Sequence, residues 1–164
     1  MRYKYCPQCG EKLIPKVIGD EGEVPYCLCC ERPWFDCFST CVLCVLVNDE
    51  GRVLLIRQSY GDVSRFVGVA GFMKPYESAE AAAIREIAEE TGLEAKELRF
   101  LESVFYNERE QLMIGFLAYV NEGALKLSGE VSEGRWFDID TAVKTVRESS
   151  IIQRLIIKAR EILK

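Results

Sequence analysis

Glu86, Glu89 and Glu90 crowd into one short part of the stretch GFMKPYESAEAAAIREIAEETGL, Gly71 to Leu93. That stretch holds five glutamates and one arginine, Arg85, among many alanines. The sequence predicts a helix from about Ser78 to Thr91, stopped by Gly92 in the C-terminal capping position. Like charges three and four residues apart on a helix repel, so something must offset the cost. At about 100° per residue, Ile84, Ile87, Ala88 and Ala81 are expected to form the core-facing side. The three glutamates fall on the other side, with Ala79 and Ala82 as small neighbours that leave room for a ligand. A solvated acidic face is the plain alternative. Convergent carboxylates with few lysines nearby point instead to a hard divalent cation, magnesium or manganese, which prefers oxygen ligands. The chain has no histidine, so proton transfer falls to carboxylates, thiolates, lysine, tyrosine or water.

A second set of chemistry-bearing residues lies upstream. All eight cysteines precede position 45. CPQCG supplies Cys6 and Cys9, and CLCC, 17 residues on, supplies Cys27 and Cys30. Two CxxC knuckles at this separation have the spacing of a four-thiolate zinc site, and four protein ligands make that zinc structural. Cys29 is placed to compete with Cys30, although the CxxC register favours Cys30. A disulfide framework would need an oxidising compartment, to which nothing else in the chain points. Cys37, Cys41 and Cys44 fall in FDCFSTCVLCVLV and are expected to be buried small apolar residues of a strand.

These groups need elements to position them. The composition changes near ERPWFD, which places a boundary between a ribbon, residues 1–36, and a larger domain, residues 37–164. CVLCVLV and VLLIRQ read as strands joined through NDEGR in a hairpin. Gly68 to Phe72 forms an extended piece before the acidic helix. LRFLESVFY, LMIGFLAYV and RWFDI supply further strands, and SSIIQRLIIKAREILK a closing amphipathic helix capped by Ser149 or Ser150. The class is α+β, with one long helix lying against a sheet. The net charge is −5, and residues 1–36 carry five basic against six acidic residues, so no extended nucleic-acid footprint is expected. No apolar run reaches about 18 residues, and the start of the chain lacks the apolar core of a secretory signal. A cytoplasmic protein without a membrane span is the expectation.

The acidic stretch resembles the Nudix box. Gly71, five residues, Glu77, seven residues, Arg85-Glu86-Ile87, one residue, Glu89-Glu90, one residue and Gly92-Leu93 match its nine fixed positions over 23 residues. The resemblance implies an α/β/α sandwich over about residues 38–164. It also implies hydrolysis of a nucleoside diphosphate linked to another group, releasing a nucleoside monophosphate. Carried over by position, Glu86, Glu89 and Glu90 become metal ligands, with one of them or a metal-bound water as base. Arg85 orients them, and Gly71, Glu77 and Gly92 shape the box.

A four-cysteine ribbon ahead of such a domain looks like the NADH pyrophosphatase branch. VAGFM resembles that branch's AGFVE, and Gln111 to Phe116 is similar to the strand after its substrate motif. Glu130 and Glu133 match its acidic pair, of which the first reaches the metal or substrate. The branch's SQPWPFPxS is not retained: Ser103 to Gln111 reads SVFYNEREQ. Lys74 stands where glutamate is usual, near the phosphates, and Tyr76 replaces the usual glycine. Phe66, Phe105 and Tyr106 are candidates to stack a base, with core packing as the alternative. An ADP-ribose or NAD(H)-type dinucleotide is the first substrate class implied. RNA caps or a nucleoside triphosphate are the second. A non-catalytic nucleotide-sensing module is the reading from another class. The resembled branch also implies a homodimer.

Overall fold

The computed structural model describes residues 3–121 and 123–163. The chain separates into two compact units, Met1–Phe38 and Ser39–Lys164. Among the described residues no helix is long and apolar enough to cross a membrane.

In the first unit, three short antiparallel strands, β1 (Ile14–Val17), β2 (Glu23–Cys27) and β3 (Arg32–Pro33), form one sheet. Its core is small: Cys6, Leu13 and Cys27 are buried, with Tyr3, Cys30 and Trp34 packed against them. A core of this size does not stabilise a fold by apolar burial alone, so a cross-link or a metal is needed. Gly10 adopts φ +77° after the first knuckle, and its amide donates to the Cys6 carbonyl at 2.9 Å.

The second unit is built on a six-stranded mixed sheet, comprising β4 (Ser39–Val47), β5 (Val53–Gln58), β6 (Val69–Phe72), β7 (Ala95–Tyr106), β8 (Gln111–Val120) and β9 (Val131–Phe137). The order is β7-β8-β4-β5-β9, with β6 also pairing to β4. β4 pairs with β8 in parallel along its whole length. Its other edge divides. Cys41 to Cys44 pair with β6, and only Leu46 and Val47 pair with β5. The sheet therefore forks at β4, which opens space at one end.

Alternation along β4 builds two cores, one on each face. Val42, Cys44 and Leu46 pack beneath α1 (Ala79–Thr91), with Ala82, Ala83 and Ile87 from the helix. Leu43, Val45 and Val47 pack beneath α2 (Ile139–Thr145) and α3 (Ile151–Ile162), with Leu155, Ile156 and Ala159. The result is an α/β/α sandwich. A run such as CVLCVLV, apolar at every position, is what a strand covered on both faces requires.

The expected hairpin, extended piece and strands are all present, and the caps are as read. Ser78 accepts from the Ala81 amide at 3.2 Å, and Gly92 closes α1 at φ 69°. α3 is capped by Ser150. The expectation that this helix runs on to Lys164 falls outside the described residues. α2 was not expected; at seven residues, its apolar pattern is too short to read. Cys41 and Cys44 are buried as expected, but Cys37 is exposed because β4 begins only at Ser39.

The assignment of faces on α1 needs correction. Ala81, Ile84 and Ala88 face solvent, whereas Ala82, Ala83, Glu86, Ile87, Glu90 and Thr91 are buried. Two of the three glutamates therefore sit on the packed side, and Ala82 is core filling. The cause is tertiary. β6 presents Gly71 opposite Val42, and the missing side chain makes a pocket into which the Glu86 carboxyl fits.

Candidate functional site

The acidic side chains are held by Arg85. Its Nε and Nη2 donate to the two oxygens of Glu77 at 2.7 and 3.0 Å, a bidentate pair. Nη1 donates to Glu86 at 2.5 Å and to Glu89 at 3.1 Å, and Nη2 also reaches the Phe72 carbonyl at 3.0 Å. Glu77 accepts a further bond from the Lys74 amide at 2.9 Å. The Arg85 guanidinium, with that amide, holds the Glu77 carboxyl down at about 2. Glu77 and Arg85 thus tie the loop after β6 to the first turns of α1. A Cβ at Gly71 would land on the Glu86 carboxyl.

Glu90 lies deepest. It is 5% exposed, and its Oε2 has no hydrogen-bond partner. Burial, reinforced by the charges of Glu86, Glu130 and Glu89, pushes its carboxyl up to about 8. An orphaned buried carboxylate oxygen is costly unless a cation meets it. Glu86, Glu89, Glu90 and Glu130 line one cleft of about 570 Å³ at the fork in the sheet, together with Arg85 and Lys74. Lys74 Nζ stands 3.7 Å from Glu89. Among the described residues no three carboxylates bring one oxygen each within 4.8 Å of one another. Arg85 draws Glu86 and Glu89 to itself. The donor set, oxygen-only and strongly acidic, fits a hard divalent ion.

Other sequence-derived candidates lie elsewhere. Tyr76 is fully exposed, at φ 66°, and does not line the cleft. Phe66 is buried in the α3-side core, edge-on to Phe137 at 5.2 Å, with the Arg57 guanidinium 4.3 Å from its centroid. Glu133 pairs with Arg57 at 3.1 Å and Arg135 at 2.6 Å, and so holds the arginine that covers Phe66. Phe105 and Tyr106 line a neighbouring cavity of about 420 Å³. Tyr106 donates to Glu108 at 2.8 Å. Cys41, Gln58, Tyr60 and Arg109 line the acidic cleft without having been singled out for it. Tyr60 and Cys41 carry an electrostatic mark: burial and the nearby carboxylates push both pKa values up, Glu130 being the first of these for Tyr60 and Glu86 for Cys41. No spacing signal marks the four residues, because they converge from three separate segments.

In the first unit the sulfurs of Cys6, Cys9, Cys27 and Cys30 all lie within 4.8 Å of one another. Cys9 to Cys27 is 3.5 Å and Cys6 to Cys30 is 3.9 Å. Thiolates at about 2.3 Å from a central ion stand about 3.8 Å apart in a tetrahedron, so the set fits one metal ion. Cys29 is exposed and outside the cluster.

The family model of the NUDIX domain matches residues 38–156. Among curated relatives, the NAD-capped RNA hydrolase NPY1 of Saccharomyces cerevisiae is 30% identical, over 88% of this chain and 43% of that protein. The NAD-capped RNA hydrolase NudC of Chromobacterium violaceum is also 30% identical, over 90% of this chain and 56% of that protein. The chain spans about half the length of these relatives. In fold it is similar to a NUDIX hydrolase from Nitrosomonas europaea, with a TM-score of 0.71 and 22% identity over 94% of this chain and 88% of that one. It is similar too to the NUDIX domain of Shewanella oneidensis NrtR, solved with ADP ribose, with a TM-score of 0.67 and 22% identity over 79% of this chain and 91% of that one. With the family match covering most of its length, and with carboxylates and arginine arranged on a common loop and helix, the chain belongs to the Nudix family.

Proposed function

We propose that the cleft hydrolyses a pyrophosphate bond in a nucleoside diphosphate linked to a second moiety, of the NAD(H) or ADP-ribose type, and releases a nucleoside monophosphate. The observation that carries this reading is Glu90: buried, unpartnered at one oxygen, and sharing one cleft with Glu86, Glu89 and Glu130. Nudix hydrolases use divalent metals, and the residues here suit magnesium or manganese. Bound there, such an ion neutralises phosphate oxygens and lowers the pKa of the attacking water.

The chain's own groups do the rest. Glu86 and Glu90 hold the cation from the packed face of α1, and Glu130 closes the set from the loop before β9. Glu89 is about half exposed and takes the proton of the attacking water on the open side. Arg85 keeps Glu86 and Glu89 in register, and Lys74 adds positive charge where the phosphates lie. Residues 1–36 form a structural zinc ribbon on Cys6, Cys9, Cys27 and Cys30, and residues 37–164 the hydrolase domain, in a cytoplasmic protein that forms a homodimer. Phe105 and Tyr106, on the cavity beside the cleft, are placed to meet the second moiety.

The names of the relatives favour a second substrate form, the NAD-type cap on an RNA 5′ end, since the bond cleaved is the same. The test is a panel of NADH, NAD, ADP-ribose, FAD and a nucleoside triphosphate with magnesium or manganese, products read by mass. AMP from a dinucleotide or ADP-ribose, lost in the Glu89→Gln/Glu90→Gln double variant, is the expected result. Binding without turnover of any substrate overturns the enzyme reading in favour of a sensor.

A further inference from the structure

Among the described residues, Arg109 and Arg147 are the two arginines whose guanidinium has no ion pair, hydrogen bond or aromatic ring to meet. The others are engaged by carboxylates, carbonyls or rings. Both line the 420 Å³ cavity beside the acidic cleft. Arg109, Gln111 and Met113 line both spaces, so the two adjoin. Two carboxylates, Glu108 and Glu148, share the cavity. Glu108 accepts from Tyr106, and neither pairs with an arginine. The start of α3 forms one wall, and its first-turn amides add partial positive charge.

Gln111 supplies an independent observation. It is 9% exposed, at the first position of β8, and its side-chain amide makes no hydrogen bond among the described residues. It lines both cavities, so its amide faces their junction. It offers both a donor and an acceptor to whatever lies there.

We infer that the second cavity binds a phosphate ester carried on the far nucleoside of the substrate, one nucleoside away from the diphosphate at the glutamates. Arg109 and Arg147 grip the ester, and Gln111 meets the sugar or base between. Arginine forks suit phosphate oxygens bidentately. The inference rests on the cleft's being a diphosphate site, as proposed above. The ester is either a ribose monoester of a small dinucleotide or the first phosphodiester of an RNA chain; the chemistry recognised is the same.

The test is calorimetric binding of AMP, adenosine 3′,5′-bisphosphate, adenosine 2′,5′-bisphosphate and the 5′-phosphorylated dinucleotide pApC to the full chain. At least one ester-bearing ligand is expected to bind about tenfold more tightly than AMP. That gap should shrink below twofold in Arg147→Gln and partly return in Arg147→Lys. Arg147 is exposed, so the substitutions leave the packing alone. Tight binding of pApC identifies the source as RNA, and of the bisphosphates alone as a small dinucleotide. Equal affinity for all four, no binding of any, or a gap that survives Arg147→Gln overturns the inference. A gap that holds while the hydrolysis panel fails removes the enzyme reading and leaves the subsite standing.

Discussion

Glu90→Gln should make the protein more stable at alkaline pH while removing its response to magnesium. The Glu90 carboxyl is raised from the ordinary 4.5 to about 8, chiefly by burial, then by Glu86 and Glu130. The folded chain therefore keeps a proton that the unfolded chain releases. The unfolded state binds fewer protons between about pH 4.5 and 8, so stability of the metal-free protein falls as pH rises through that window and levels off above it. At about 1.36 kcal/mol per pH unit the ceiling is about 5 kcal/mol. The cleft is open to water, which solvates the ionised form, so a loss of about 1–3 kcal/mol is expected. Gln cannot ionise and escapes this loss. Urea unfolding of wild type and Glu90→Gln at pH 5 and pH 8.5 measures it, in buffer free of added divalent ions but without chelator, which would attack the cysteine site. The two proteins should be close at pH 5, with the variant ahead at pH 8.5. Adding millimolar magnesium should restore the wild type alone. A wild type equally stable at both pH values, or a variant that tracks it, would falsify the account of Glu90.

Gly71→Ala places a methyl group on the Glu86 carboxyl; it should cost about 1–3 kcal/mol in thermal stability and lower kcat at least about a hundredfold. Arg85→Lys cannot reproduce the bidentate grip on Glu77 together with the bonds to Glu86 and Glu89, and steady-state kinetics should show kcat falling by about 10–100-fold despite the retained charge. Wild-type protein should carry one zinc per chain by elemental analysis. Cys9→Ser and Cys27→Ser should lose it, with hydrogen exchange protection lost across β1 to β3.

Much of the fold is legible in the residues. The alternation-free run at β4, the hairpin residues after it and the paired caps of α1 and α3 each have a local cause, and local causes survive without the rest of the chain. The box from Gly71 to Leu93 is equally legible, because its residues lie close in sequence. The helix faces were not. A wheel ranks residues by polarity and sends glutamates to solvent, yet Glu86 and Glu90 are packed, Glu86 because β6 leaves a hollow at Gly71. The same limit applies to Phe66, whose aromatic ring reads as a base stacker in sequence and fills the core in the structure. α2 was missed because seven residues carry too little periodicity.

By itself the sequence determined the family, the acidic loop and helix, the cysteine spacing and the alternation of strands and helices. Each of these is a relation among neighbours in the chain. Only the tertiary structure decided that Glu90 has an oxygen with nothing to meet, that Tyr60, Arg109 and Gln111 join the glutamates at the fork in the sheet, and that Glu133 turns away to Arg57 and Arg135. The reason is that a cleft is assembled from distant segments by sheet order and register, and burial there depends on which side chain the opposing strand lacks.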